Sequence, residues 1–354
     1  MAAARTDYLL LDFRAYRRKF ARPWVTGRGV WAAREGVIVC LTDAAGRQGF
    51  GEAAPIPTFT SETAARDLLW LRRAPDEISP AELHRVPARL ACLRWAFYCA
   101  MEMLEAKLQP SAKIKSLPVA ALLPVGREGL PALAHRAAEG YRVFKWKIGL
   151  AAPPEEFSLL EKLLAALPKD GRLRLDANGS LSRREWSAWC DGLNTLGAAG
   201  SAIEFFEQPL PPATGLSCWR EQARLAAVAP VPVALDESVA GWPGLRKAGV
   251  VNWPGPLVVK PSLLGATGEF MAWRSKTHAD LIYSSACETS VGLYAALCLA
   301  SEDPLAGKRA LGFGTLEAFG DDGLQLPGHK PGASLTLKKL SSADFVGIWN
   351  RLAP

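Results

Sequence analysis

Histidine is scarce in this sequence, with four residues among 354. They lie far apart, and no His-Glu-x-x-His motif occurs; the four are His84, His135, His278 and His329. Zinc enzymes of the common type need several histidines at short spacing. The sequence therefore does not predict a histidine-based zinc site.

Paired cysteines and long apolar runs are also missing. None of the seven cysteines forms a Cys-x-x-Cys motif, and several lie in apolar segments, as Cys298 does in AALCLA. This pattern is typical of buried free thiols in a reducing compartment. No apolar run reaches the 18 residues of a membrane span, and the N-terminal MAAARTDYLL lacks the apolar core of a signal peptide. We expect a cytoplasmic protein without a membrane partner.

A dense basic stripe is absent too, although the net charge is +7 and the pI is about 9.1. Arginine and lysine are scattered along the chain, whereas nucleic-acid surfaces concentrate them. We expect no nucleic-acid partner. The positive charge favours an anionic small molecule as substrate. The sequence leaves the oligomeric state open.

The order of predicted elements divides the chain into three parts. Residues 1–115 combine strand patterns such as GVIVCLTD with helical patterns, one of them starting at the candidate N-cap Ser61. Residues 116–316 alternate strand and helix, with Ser182 as another candidate N-cap. The predicted strands are 117–123, 142–148, 173–177, 202–207, 232–236, 256–260, 280–285 and 309–313. This alternation predicts a (β/α)8 TIM-type barrel behind an α+β capping domain, and we expect the tail 317–354 to return to the capping domain.

Charged residues end five successive predicted strands of the barrel. They are Lys145 and Lys147, Asp176, Glu207, Asp236 with Glu237, and Lys260. The carboxyl ends of barrel strands converge on one face, where the chemistry of such enzymes takes place. A single acid or lysine at a strand end is more often a salt bridge or a helix cap. Three carboxylates brought together repel one another unless a cation lies between them, so the joint pattern indicates a metal site flanked by lysines.

These residues resemble the enolase superfamily, and in particular its muconate-lactonizing subgroup, which carries Lys-x-Lys on the second strand and one carboxylate on each of the next three. Within the subgroup the sequence is most similar to the o-succinylbenzoate synthase family. Three stretches carry this similarity: GFGEAAPIPTFTSET, RLDANGSLS, and LIYSSACETSVGLYAALCLA followed by ALGFGTLEAF. It departs from the family pattern at Cys287, which precedes Glu288, and at Gly314, where an aspartate is common.

The resemblance implies an enzyme, a lyase of menaquinone biosynthesis. It would remove water from 2-succinyl-6-hydroxy-2,4-cyclohexadiene-1-carboxylate by way of an enediolate. Asp176, Glu207 and Asp236 would bind Mg²⁺, with Mn²⁺ as the alternative ion, because oxygen ligands suit these hard cations. Lys147 would be the general base and then the acid, Lys260 would stabilise charge, and Lys145 would tune Lys147.

Other residues are assigned to substrate contacts or to the support of the ligands. Arg174, Asn178 and Glu237 would lie beside the metal ligands. Backbone N–H groups near Ser284, Gly312 and Phe313 would bind the succinyl arm. The loop around Thr58 and Phe59 would close over the ring and exclude water.

Two other functions remain open at this point. Racemases of the same subgroup, such as N-succinylamino acid racemase, use both lysines, and epimerases and cycloisomerases share the barrel. A dipeptide epimerase is disfavoured, because GFGTLEAF lacks the Asp-x-Asp that binds its substrate's ammonium group. A barrel that binds a ligand without chemistry would be favoured by a missing acid or lysine, and none is missing.

Overall fold

An antiparallel sheet from the N-terminal part of the chain covers one end of a parallel barrel. The structure is a computed structural model that describes residues 8–26, 29–56, 59–326 and 332–353. The sheet has the strand order β3-β2-β1-β4. Its elements and the helices that follow are β1 (Leu9–Thr26), β2 (Gly29–Thr42), β3 (Gln48–Ala53), α1 (Ala64–Leu71), β4 (Glu77–Ile78), α2 (Pro80–Leu83) and α3 (Ala91–Leu104). The pairing of β1 with β2 changes register between Lys19 and Trp24. Residues 24–26 then pair with β2 again and form the tip of this long hairpin.

The middle of the chain alternates strands and helices. The elements are β5 (Ser116–Pro118), β6 (Ala121–Leu122), α4 (Gly129–Ala138), β7 (Val143–Lys147), α5 (Pro153–Ala165), β8 (Arg172–Asp176), α6 (Arg183–Thr195), β9 (Ile203–Glu207), α7 (Leu216–Ala227), β10 (Val233–Ala234), α8 (Trp242–Val250), β11 (Leu257–Val259), α9 (Gly268–Arg274), β12 (Leu281–Tyr283) and α10 (Ser290–Glu302). Strands β6 to β10 form one parallel sheet, and β11 and β12 form another.

Isolated parallel bridges close these two sheets into a barrel. Leu235 bridges to Leu257, which joins β10 to β11. The predicted eighth strand pairs only through Leu311 with Val119 and Gly312 with Ser284. The closed ring confirms the predicted barrel and its capping domain. Its eighth strand is shorter than expected.

The tail contacts both the capping sheet and the barrel. Strand β13 (Ser334–Thr336) pairs with β5, which lies just before the first barrel strand β6. Helix α11 (Ser342–Arg351) packs Trp349 against Phe50 of the capping sheet, with ring centroids 5.6 Å apart. Phe345 of the same helix packs on Tyr294 of α10. The tail was predicted to pack on the capping domain and not on the outer helices of the barrel, and its contact with α10 departs from that prediction. The division at residues 115 and 316 stays a prediction.

Large apolar side chains fill the space between the barrel strands and their helices. Trp146, Phe206 and Trp189 are almost fully buried there. All seven cysteines are free thiols, and five of them are buried. Across the described ranges, none of the helices combines the length and the apolar character that a membrane crossing requires.

Candidate active site

Strand register brings the predicted charged residues together at one end of the barrel. Lys147 of β7 is paired with Asp176 of β8, and Asp176 is paired with Glu207 of β9. Asp236 lies two residues beyond the end of β10, and Lys260 follows directly after β11. Because side chains alternate along a strand, Lys145 and Lys147 face the barrel axis while Trp146 packs outward in the core.

Lysine ammonium groups lie among the buried carboxylates. Lys145 Nζ is 2.9 Å from Asp176 Oδ2 and 2.7 Å from Glu207 Oε1, and Lys260 Nζ contacts Asp236 Oδ1. In the ranges that the structure describes, no three acidic, histidine or cysteine side chains stand together as a ready-made metal-binding group. In this arrangement Lys145 bridges Asp176 and Glu207, and Lys260 pairs with Asp236.

The site nevertheless contains more carboxylate than its lysines neutralise. Burial raises the pKa of Glu207 to about 7, where the charges of Asp176 and Asp236 add to the shift and Lys145 opposes it. Burial and the charge of Asp236 raise the pKa of Glu237 to about 8. Glu237 Oε2 and Asn178 Oδ1 are buried and find no hydrogen-bond partner among the described residues. Such an oxygen-rich site, short of positive charge, fits a hard divalent cation.

Lys147 has the environment of a lysine that can lose its proton. The pKa of Lys147 is lowered to about 8, chiefly by burial. The charge of Lys145 acts in the same direction, and the charge of Asp176 opposes the shift. Burial is the largest cause, whereas the sequence-based expectation was that Lys145 tunes Lys147. The Lys147 ammonium donates to the carbonyl oxygen of Val25 at 2.9 Å and lies 4.9 Å from the ring centroid of Trp24.

The capping domain supplies the outer wall of the site. Phe59 lies over Lys260, with 4.6 Å between Nζ and the ring centroid. These groups enclose a cavity of about 90 Å³, which shares Trp24, Lys145 and Lys147 with an adjoining cavity of about 440 Å³. The two together fall within the range of small-molecule sites.

Seven lining residues were not assigned to the site from the sequence: Trp24, Trp31, Ile56, Leu122, Ser285, Cys287 and Thr315. Most of them reach the cavity from another domain or from a turn beyond a strand end. Periodicity within one element gives no signal for such contacts.

Several assigned contacts differ from the prediction. Arg174 does not line the cavity, because its side chain bonds Glu204 inside the barrel at 2.7 Å. The N–H groups of Ser284 and Gly312 already donate to the carbonyl oxygens of Val259 and Tyr283, so these two groups are not free to bind the succinyl arm. Phe313 is a core residue.

The remaining assigned residues lie in or beside the cavity. Asn178 and Glu237 line it and bond each other at 3.2 Å between Nδ2 and Oε1. Ser284 and Gly312 line it through their other atoms, and a Cβ on Gly312 would lie 2.4 Å from Ser284 Oγ, so only glycine fits there. Thr58 lies outside the described residues.

Comparisons with known proteins agree with this geometry. Residues 130–251 match the family model described as "Enolase C-terminal domain-like". An o-succinylbenzoate synthase from Thermosynechococcus vestitus is 33% identical over 285 residues, which cover 79% of this chain and 85% of that protein. The crystal structure of o-succinylbenzoate synthase from Thermosynechococcus elongatus BP-1, complexed with Mg in the active site, superimposes with a TM-score of 0.81 at 30% identity, covering 97% and 100% of the two chains.

A racemase shares the fold at much lower identity. The N-succinyl Arg/Lys racemase from Bacillus cereus has a TM-score of 0.80 with 16% identity, and 98% of each chain is covered. This likeness shows the fold alone. The synthase relative, by contrast, matches most of the chain at 33% identity. The chain therefore belongs to the o-succinylbenzoate synthase family, a family of lyases within the enolase superfamily.

Proposed function

We propose that this site dehydrates 2-succinyl-6-hydroxy-2,4-cyclohexadiene-1-carboxylate to 2-succinylbenzoate, a step of menaquinone biosynthesis. One observation carries the proposal. Lys147 and Lys260 line a single cavity together with Asp176 and Asp236, and they come from the second and sixth of the eight barrel strands. Those two strands face each other across the barrel, so a flat ring bound between them has a lysine on each face.

Asp176, Glu207 and Asp236 are the residues that would hold Mg²⁺, or Mn²⁺ as the alternative. Their carboxylates are buried, and together with Glu237 they make four acidic side chains beside three lysines. The bound cation supplies electrostatic stabilisation of the negative charge that develops on the substrate carboxylate. Asn178 and Glu237 keep the ligand carboxylates in position through their mutual hydrogen bond and the bond from Asn178 to Asp176.

Lys147 moves the proton. As a neutral amine it takes the proton from the ring carbon that bears the carboxylate, and it then returns that proton to the departing hydroxyl group. The C–H and C–O bonds break on the same face of the ring, water leaves, and the ring becomes aromatic. The lowered pKa of Lys147 makes the neutral amine available near neutral pH.

Lys260 contributes a fixed positive charge on the other face. Its ammonium group contacts the Asp236 carboxylate and lies 4.6 Å from the ring centroid of Phe59. The dianion that forms when the proton leaves is therefore stabilised without a second proton transfer. Ser284 and Thr315 line the cavity, and in our proposal the succinyl arm lies beside them.

The proposal is tested by offering the purified protein two substrate types with Mg²⁺ and after chelation by EDTA. We expect the cyclohexadiene carboxylate to be converted to the aromatic product, with activity lost on chelation and restored by Mg²⁺. Both enantiomers of N-succinylphenylglycine in deuterated water report any racemase activity. Turnover of the amino acid alone, or full activity in a metal-free sample, would overturn the proposal.

Asp236→Asn tests the ligand assignment separately. It removes one negative charge at a strand end, so we expect weaker Mg²⁺ binding by calorimetry in a protein that still folds. Asp280→Asn is the matched control, because Asp280 forms an exposed ion pair with Arg309 away from the site. Equal Mg²⁺ affinity in both variants would contradict the assignment.

A further inference from the structure

A buried arginine of the capping sheet, Arg34 on β2, joins the two loops that line the cavity. Only 3% of its surface is exposed. Its guanidinium donates to three backbone carbonyls: Pro55 O at 2.8 Å, Ala54 O at 3.0 Å, and Ala286 O at 2.9 Å from Nη2 and 3.2 Å from Nε. The first two belong to the capping loop after β3, and the third belongs to the turn after β12.

These carbonyl oxygens stabilise the buried positive charge of Arg34 in place of water. No ion pair joins it to a carboxylate in the part of the chain that the structure describes. A guanidinium cannot lose its proton in a protein, and an unsolvated buried charge is costly. The carbonyl groups of both loops solvate the same cation. If either loop moves away, the buried guanidinium loses hydrogen bonds that nothing else replaces.

Each loop carries residues of the active site. Beyond Pro55, the Phe59 N–H donates to Ile56 O at 2.9 Å, and Phe59 lies over Lys260. The turn after β12 presents Ser285 and Cys287 to the same cavity. Arg34 therefore connects the loop that leads to Phe59 with the turn that carries Ser285 and Cys287.

The turn after β12 needs such support. Cys287 has a φ of 61°, in the left-handed region that residues other than glycine adopt at a cost. The carbonyls on both sides of it are held by buried arginines from neighbouring capping strands. Arg34 binds Ala286 O, and Arg18 binds Glu288 O at 2.9 Å.

We propose that Arg34 is a positioning residue for the reaction, which aligns the capping loop and the Cys287 turn around the substrate through its three carbonyl contacts. The inference concerns the site of the proposed function and rests on it for its kinetic consequence. Its structural consequence, coupled mobility of the two loops, is independent of the substrate.

Three variants separate positioning from general stability. Arg34→Met removes the guanidinium but keeps most of the length. Arg34→Lys keeps the charge but not the planar set of donors that reaches three carbonyls. Arg274→Met is the matched control, because Arg274 is also buried, pairs with Asp303 at 2.7 Å, and lies on α9 outside the cavity.

The first measurement is hydrogen–deuterium exchange of peptides covering residues 54–61 and 284–289. We expect faster exchange in both segments of Arg34→Met and Arg34→Lys, and wild-type exchange there in Arg274→Met. Should Arg34→Met fail to fold, Arg34→Lys carries the test. Wild-type exchange in both segments of a folded Arg34 variant, or faster exchange in only one, would overturn the proposal.

The second measurement is kcat and KM with the cyclohexadiene carboxylate. We expect kcat/KM of Arg34→Met to fall by about 10²-fold, as misalignment of about 1 Å does in other enzymes, with kcat falling more than KM rises. A further variant, Arg34→Ala, leaves room for a free guanidinium ion, so guanidinium chloride at millimolar concentration should restore part of its activity but not that of Lys147→Ala. An equal loss in Arg274→Met, or no rescue, would contradict a positioning role. If the wild type does not turn over this substrate, the proposed function fails while the exchange measurement still decides the role of Arg34.

Discussion

At the scale of single residues, burial prepares Lys147 for its role more than neighbouring charge does. Its side chain lies between barrel strands and the tip of the capping hairpin, whose Trp24 ring and Val25 carbonyl both contact the ammonium group. Removal from water disfavours the charged form of an amine, and the pKa falls to about 8. The capping domain thus affects the chemistry of the base as well as access to it.

This pKa predicts a pH dependence. The base must be neutral, so kcat/KM should rise about tenfold per pH unit below a pKa near 8 and level off above it. The measurement is kcat/KM between pH 6 and pH 10 with saturating Mg²⁺. Lys147→Arg is the control, since its guanidinium stays charged over this range and any residual activity should lack the rise. A flat or falling wild-type profile would argue against Lys147 as the base.

Residue types at strand ends could be read from the sequence, but their depth and hydrogen bonding could not. Arg174 shares the inward face of β8 with Asp176, yet it lies two residues deeper and pairs with Glu204. Alternation identifies the face and not the layer. The sequence left the N–H groups of Ser284 and Gly312 as candidates for binding the succinyl arm. In the structure they donate to backbone carbonyls of neighbouring strands instead.

At the scale of helices and strands, caps were predictable where the local chemistry was complete. Ser182 begins α6 with a capping box that includes Glu185, as its spacing indicates. Ser61 was predicted to begin α1, but Thr63 caps that helix instead. Thr63 is itself a good cap, and the sequence alone did not separate the two. The eighth strand was predicted over five residues and pairs through only two of them.

The first turn of α10 is capped by a carboxylate from the other domain. Glu52 of β3 accepts from the N–H groups of Thr289 at 2.9 Å and Gly292 at 2.8 Å, and from the Tyr16 hydroxyl at 2.5 Å. A Cβ on Gly292 would lie 2.9 Å from Glu52 Oε2, so the glycine makes room for this cap. Negative charge at a helix N-terminus is stabilising, and here it also joins the capping sheet to the barrel.

Glu52→Gln should therefore destabilise the protein. The change keeps the shape but removes the charge and places an NH₂ group among donors, so we expect the free energy of unfolding to fall by about 1–3 kcal/mol. Urea denaturation followed by circular dichroism measures it. Glu35→Gln is the control, because Glu35 is exposed and pairs with Arg17 on the neighbouring sheet surface. A change no larger than that of the control would contradict the cap.

At the scale of the whole molecule, the active site is a product of two domains. Alternating strands and helices predicted the barrel, and the strand-rich start predicted the capping sheet. The contacts between them were not predictable, because hydrophobic periodicity describes which face of an element is buried and not what covers it. Trp24 over Lys147 and the pairing of β13 with β5 both belong to this class.

The proposed reaction depends on one lysine that moves the proton and another that holds charge. The most direct measurement compares the wild type, Lys147→Ala and Lys260→Arg on the cyclohexadiene carboxylate in deuterated water, with the exposed Lys162→Ala as control. We predict that Lys147→Ala loses aromatic product formation by at least about 10²–10⁴-fold and loses exchange at the acidic carbon. We predict that Lys260→Arg retains measurable dehydration and that the control matches the wild type. Dehydration by Lys147→Ala at the wild-type rate would contradict the account.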